Sequence, residues 1–234
     1  MQRRIILVIA PSGSGKTHLI SELIRDIDRV AVFDTVSDPQ YFATDKNGTP
    51  REDVKVIEGS PRQFAEAIGS LNGMIGKEEG EFKVIYHPKK ATITITDQGL
   101  MESPEFGIIV RLCQERGHMY LVIDEAHLWC NTYNCPQELQ MANLIGRHDG
   151  LSMILIAQRL VGVHPAIREN ADEFYFWKVI QPRSLKLVEE YCGDDVAKQV
   201  KELRAVELDA NDKFVKPGQY LHWTKFKGVV EVTE

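Results

Sequence analysis

The sequence predicts an α/β fold with a mostly parallel sheet and helices on both faces. Three observations predict it. Stretches with strand patterning alternate with stretches of helical spacing along most of the chain. A glycine-rich loop joins the first strand to the first helix, the arrangement that cradles phosphate. The apolar run Met119-Tyr-Leu-Val-Ile ends in two adjacent carboxylates, Asp124 and Glu125, as a buried parallel strand does when it delivers acids to a ligand edge.

The elements follow in order. Arg4–Ala10 is apolar on both faces and reads as a central strand. Pro11–Gly15 is loop, and 16–27 carries Leu19, Ile20, Leu23 and Ile24 on one helical stripe. Residues 30–36 form a second strand ending near Asp34. Residues 38–58 are polar and turn-rich, which predicts a surface excursion. An amphipathic helix spans 61–71, a charged turn 77–81 and a strand 82–87. The stretch 88–103 is the least patterned, with a short strand at 91–96. Helix 104–116 leads into strand 119–124, helix 136–147 into strand 152–158. Strand 174–179 and helices 183–192 and 195–203 follow. The remainder, about 205–234, reads as strand and turn, with a Lys-Pro-Gly turn at 216–218. No repeat and no Pro/Gly/Ser linker interrupts this order, so one domain covering 1–234 is expected.

Composition narrows the class. At roughly 100–200 residues per domain, 234 residues suit one large domain with a core of its own. Apolar content of 43% and charged content of 26% exclude wholesale disorder and fibrous repeats. The longest apolar runs have the length of buried strands, so no transmembrane segment is expected. Charges balance at 28 − 34 = −6, which argues against a protein that coats nucleic acid through a globally basic surface. Arg3 and Arg4 precede an apolar run, but it passes straight into the glycine loop with no cleavage-like site. Four cysteines are too few for a disulfide framework. The expected location is a reducing, cytoplasmic compartment.

The chemistry lies in two motifs. Ala10-Pro-Ser-Gly-Ser-Gly-Lys-Thr17 matches the P-loop, G-x-x-x-x-G-K-[S/T], with Ala10 in place of the first glycine. Nucleotide contacts are therefore expected from Pro11, Ser12, Gly13, Ser14, Gly15, Lys16, Thr17 and His18. The glycines let backbone N–H groups curl round the β-phosphate. Lys16 reaches the β- and γ-phosphates, and the Thr17 hydroxyl coordinates Mg²⁺. Asp124 is then a Walker B aspartate supporting the metal. Glu125 can polarise an attacking water, which tilts the reaction from phosphotransfer toward hydrolysis of a nucleoside triphosphate. Gln158 closes the strand beyond and can sense the γ-phosphate. Arg147 precedes that strand, away from its own phosphate in a parallel sheet, where it can reach a neighbouring subunit's nucleotide.

Together, the APSGSGKT loop, VFDT after the second strand, LVIDEAH, and GRHDG followed by MILIAQRL resemble the HerA/FtsK superfamily. The compact size is similar to that of viral and phage genome-packaging ATPases. The resemblance covers residues 4–185. It implies a RecA-like (ASCE) P-loop NTPase core, with Glu125 as catalytic glutamate, Gln158 as the polar residue closing the fourth strand and Arg147 as a finger supplied across a ring. It also implies ATP and Mg²⁺, a hexameric or pentameric homo-oligomer, double-stranded DNA as the translocated partner, and a capsid or portal vertex as a docking partner. Ala10 and Leu160 depart from the pattern, leaving Arg159 and Arg168 as alternative fingers.

Other readings compete. Asp124-Glu-Ala-His127 spells a DEAH box, yet a monomeric helicase closes ATP between two such domains, and this chain has room for one; a ring helicase stays open. An AAA+ protein calls for a helical lid where 205–234 reads as strand. A nucleotide-dependent switch or an assembly or secretion ATPase uses the same core without moving DNA. Lys89, Lys90, Lys225 and Lys227 are the local basic spots for DNA. Cys130 and Cys135 lack the second ligand pair that zinc requires and read as loop residues. Trp129 and Tyr133 in the same loop either stack on a base or pack at a subunit contact.

Overall fold

The computed structural model describes residues 3–36, 54–69, 80–208, 214–216 and 218–233. Nine strands form one sheet in the order β13-β12-β9-β1-β8-β7-β2-β4-β3. These are β1 (Ile5–Ile9), β2 (Arg29–Phe33), β3 (Val54–Glu58), β4 (Phe82–His87), β7 (Met119–Ile123), β8 (Leu151–Ala157), β9 (Glu173–Trp177), β12 (Tyr220–Thr224) and β13 (Gly228–Val232). Every pairing from β3 across to β9 is parallel. Two antiparallel strands, β12 and β13, then extend the β9 edge.

Alternation along β1 separates two cores. Ile5, Leu7 and Ile9 face one side and Ile6, Val8 and Ala10 the other, because successive strand side chains point to opposite faces. The second face is covered by α1 (Lys16–Ile24) through Leu19, Ile20 and Ile24. The first face packs against α2 (Pro61–Ala67), α3 (Pro104–Arg116), α4 (Gln137–Asp149), α5 (Pro165–Asn170), α6 (Pro182–Cys192) and α7 (Asp194–Glu202). All five residues of β1, β7 and β9 are buried, and all seven of β8. Each fully buried Ile, Leu, Val or Phe there contributes about 1.5–3 kcal/mol, so this middle of the sheet is the rigid platform.

Local signals set the helix ends. Pro104 occupies the first turn of α3 while the Ser103 side chain accepts from the Glu105 N–H at 3.2 Å. Gly117, at φ 62, ends that helix where a side chain would meet the Asp149 carbonyl. Ser60 and Pro61 start α2 in the same way.

The structure departs from expectation in three places. Part of the polar excursion is strand: Val54–Glu58 pairs with β4 as an edge, and only Ile57 of its five residues is buried. The short strand expected at 91–96 is a 3₁₀ turn at Lys90–Thr92 followed by a two-residue hairpin, β5 (Thr94–Ile95) with β6 (Met101–Glu102). Helix α5 has six residues with Pro165 at its start, too short for a helical period to register. The parts of the predicted excursion at 38–53, of the helix end at 70–71 and of the charged turn at 77–79, with the turn residue Pro217, lie outside the described residues. The stretch from 205 onward supplies β10 (Glu207–Leu208), β11 (Phe214–Lys216), β12 and β13.

At the edge where the parallel strands begin, Glu173 is buried between Arg4 and His222. His222 lies 3.1 Å from its carboxylate and stacks on Tyr175 at 4.2 Å between ring centres. Burial pushes the Glu173 carboxyl up, but the His222 hydrogen bond and the Arg4 charge outweigh it, so its pKa falls below the ordinary 4.5. The stabilisation is therefore complete above pH 4.5 and is lost as the pH falls through the lower folded value. Glu173→Gln is expected to cost about 2 kcal/mol at pH 7 and much less in strong acid. Urea melts at pH 7 and at pH 3 check this; an equal loss at both would remove the charge-based account.

Candidate active site

The ends of β1, β7 and β8 lie side by side, with β8 between the other two. Each releases its functional residues at the same edge. The loop after β1 enters α1 through Gly15, at φ 89, and Gly13 is also left-handed at φ 72. Neither glycine has any atom within 4 Å of where a Cβ would stand, so the loop opens into free space. Positive φ at these positions suits glycine, and successive N–H groups there form an anion cradle. Ser14 is buried, its hydroxyl without a partner among the described residues, while Pro11, Ser12 and His18 are exposed. Lys16 and Thr17 occupy the first turn of α1.

Lys16 Nζ reaches across to Glu125 Oε1 at 2.7 Å. The Gln158 amide donates to both Glu125 oxygens at 3.3 Å. The sheet therefore brings Lys16, Glu125 and Gln158, three residues far apart in sequence, onto one carboxylate. The Lys16 and Glu125 side chains are only 12% and 10% exposed, so each offsets the other's loss of hydration. His127 Nδ1 approaches Glu125 Oε2 to 3.3 Å. Burial lowers the His127 pKa, so near neutral pH the ring is uncharged.

Glu125 has φ 48 and ψ 44, a left-handed conformation that costs a non-glycine residue about 1–2 kcal/mol. The chain turns there into a short 3₁₀ segment, Ala126–Leu128, which aims the side chain back toward the P-loop. Asp124, one residue earlier, is 7% exposed, and its Oδ1 accepts the Glu125 N–H at 2.9 Å. Burial, with the Glu125 and Asp34 carboxylates nearby, pushes Asp124 up to about 6 against the opposing pull of Lys16. A hydroxyl and a carboxylate are oxygen donors that suit a hard divalent cation, and Thr17 and Asp124 supply one of each. The residues present thus fit Mg²⁺, which Thr17 and Asp124 could hold.

A cleft of about 400 Å³ opens on the β9 side of the loop, between Pro11, Ser12, Arg159, Ile180, Gln181 and Arg204. Arg159 lies at this edge, beside its own P-loop. Arg168 is buried and lies 5.7 Å over the Tyr191 ring, packed within its own subunit. Arg147 falls in the last turns of α4, which ends where β8 begins, at the opposite edge from Lys16. Its side chain lies outside the described residues. Trp129 is 1% exposed, stacked 4.9 Å from Phe106, so neither a base nor a neighbouring subunit reaches it; of these two aromatic residues Tyr133 is the exposed one. Cys130 and Cys135 are both buried, and the Cys135 hydrogen bond, with burial, pushes the Cys130 thiol up. Among the described residues no group of three or more metal-binding side chains gathers round them. Lys89 and Lys90 are exposed at the phosphate edge, Lys225 and Lys227 at the far edge, so the two pairs form no common track within a subunit.

Sequence reading missed Thr35. Its hydroxyl donates to the Asp124 carbonyl at 2.9 Å and accepts from Trp129 Nε1 at 2.7 Å. In the sequence Thr35 is only the last residue of VFDT, and that motif gave its hydroxyl no role.

Comparison with known proteins agrees with this fold. A family model described as AAA domain matches residues 1–161. No curated protein sequence matches the chain. The genome packaging NTPase B204 of Sulfolobus turreted icosahedral virus 2, in complex with ATP-gammaS, is 16% identical with a TM-score of 0.67, covering 99% of this chain and 97% of its own. The same protein in complex with AMPPCP is 17% identical with the same TM-score and coverage. B204 of Sulfolobus turreted icosahedral virus, a DNA-packaging ATPase, is 17% identical with a TM-score of 0.63, covering 100% and 98%. The fold is thus that of a RecA-like P-loop NTPase. No helix among the described residues is long and apolar enough to cross a membrane.

Proposed function

Because the chain belongs to the AAA-domain family of P-loop ATPases, we propose that its ATP hydrolysis is shared between subunits of a homo-oligomeric ring and drives double-stranded DNA, as in genome packaging. The observation that carries the reading is the convergence of Lys16 and Gln158 on Glu125, with Arg147 on the helix that ends at the opposite edge. Arg159 lies beside its own P-loop, whereas an arginine at the opposite edge, as Arg147 is, can complete only a neighbour's site. The full-length likeness to B204, whose name states genome packaging, supports DNA as the cargo.

In this mechanism Lys16 and the loop N–H groups hold the triphosphate, and the cleft beside Pro11 and Ser12 receives the nucleoside. Mg²⁺, when bound, neutralises charge on the phosphates, with Thr17 and Asp124 to hold it. Glu125 orients the attacking water and takes its proton onto the carboxylate. Gln158 fixes the rotation of that carboxylate and reports whether the γ-phosphate is present. Arg147 of the neighbouring subunit stabilises charge in the transition state.

Steady-state hydrolysis across a protein dilution series, at low salt with and without double-stranded DNA, tests the reading. Turnover per subunit is expected to rise with concentration, to rise further with DNA and to lose the DNA effect as salt increases. A rate independent of protein concentration and of DNA would sink the ring translocase.

A further inference from the structure

We propose that Thr35 and Trp129 form a positioning relay that aims Glu125 at the attacking water; the inference rests on the role given to Glu125 above. Strand β2 stops at Phe33 and β7 at Ile123, with the Asp124 N–H still bonded to the Phe33 carbonyl at 3.0 Å. At Glu125 the chain leaves the sheet in a left-handed turn. The buried Asp124 carbonyl would lose its ladder partner there, and a buried unpaired carbonyl is costly. The Thr35 hydroxyl takes over, donating to that carbonyl at 2.9 Å.

The consequence falls on Glu125. The Asp124–Glu125 peptide plane is now held at both ends, its oxygen by Thr35 and its N–H by Asp124 Oδ1 at 2.9 Å. Fixing this plane fixes the rotation at Glu125 that aims its side chain. A strained backbone persists only where its surroundings over-determine it, and these bonds supply that. The Thr35 hydroxyl is oriented in turn, because it must accept from Trp129 Nε1 at 2.7 Å and so can donate only toward Asp124. The Trp129 ring is locked between Phe106, stacked at 4.9 Å, and Phe33, edge-on at 5.1 Å. Thr35 is 8% exposed and Trp129 1%, so water does not substitute for either group. Neither Thr35 nor Trp129 is assigned a catalytic role. They act through Glu125.

The test compares Thr35→Val, which keeps the shape and removes the hydroxyl, with Thr35→Ser, which keeps the hydroxyl. Full-length protein is assayed with Mg²⁺ and ATP, and Glu125→Gln is measured alongside. Thr35→Val is expected to lower kcat about 10–100-fold with KM for ATP unchanged, the effect of a catalytic group misplaced by about 1 Å. Thr35→Ser is expected to restore most of the rate. Wild-type kcat in Thr35→Val, an equal loss in Thr35→Ser, or a rise in KM in place of the fall in kcat overturns the relay. If Thr35→Val does not fold, Trp129→Phe carries the same test: a fall in kcat of several-fold with KM unchanged supports the relay, and an unchanged kcat overturns it. A Glu125→Gln enzyme that turns over normally removes the role of Glu125 itself. An inactive Glu125→Gln beside a fully active Thr35→Val removes only the relay.

Discussion

Glu125→Gln is expected to bind ATP as tightly as the native protein, or more tightly, and to hydrolyse it about 10²–10⁴-fold more slowly. The amide keeps the size of the carboxylate but cannot take a proton from water. It also releases Lys16, which in the native arrangement lies 2.7 Å from Glu125 Oε1, so the cation becomes freer to serve the phosphates. Nucleotide binding measured by fluorescence, paired with single-turnover hydrolysis, separates the two effects. Normal turnover would move the water-activating role elsewhere. Loss of binding would mean that the carboxylate, rather than the chemistry, organises the P-loop.

The Arg147→Ala variant should assemble and bind ATP yet lose about 10³–10⁵-fold in turnover, the range for removal of an arginine finger. A mixture with Glu125→Gln makes the test specific. Each variant alone is inactive, for opposite reasons. In a mixed ring, an Arg147→Ala subunit keeps a working Glu125 and can sit beside a Glu125→Gln subunit that keeps Arg147. That interface holds one complete site, so activity should return on mixing. Co-assembly without any return would show that Arg147 serves its own subunit or none. The position of its helix argues for the neighbour: α4 ends beside the start of β8, a full strand length from the edge where Lys16 and Glu125 meet.

Much of this was legible in the sequence because the chemistry is local there. A P-loop needs its glycines, lysine and threonine within one turn. The Walker B carboxylates need only an apolar strand directly before them, and Met119–Ile123 is apolar at every position. Gln158 was legible for the same reason, as the residue closing a fully buried strand. What escaped had weak or non-local signals. The strand at Val54–Glu58 lies at the sheet edge with one buried residue, so its pattern resembles a loop. Trp129 follows the acidic pair in a polar-looking loop, yet it is stacked into the core against Phe106, which arrives from another helix. An aromatic residue in a loop announces its size but not its partner.

The sequence by itself determined the fold class and showed the glycine-rich loop and the paired acids as motifs, since each depends on residue types within a few positions of one another. Only the tertiary structure decided which of these groups share a point in space. The strand order places β8 between β1 and β7, and that order, set by packing over the whole sheet, is what lets Gln158 bridge to Glu125. Tertiary packing likewise sealed Arg168 under Tyr191 and spent the Thr35 hydroxyl on the Asp124 carbonyl. Contacts between residues about ninety positions apart follow from how strands stack, and no short stretch of sequence records that.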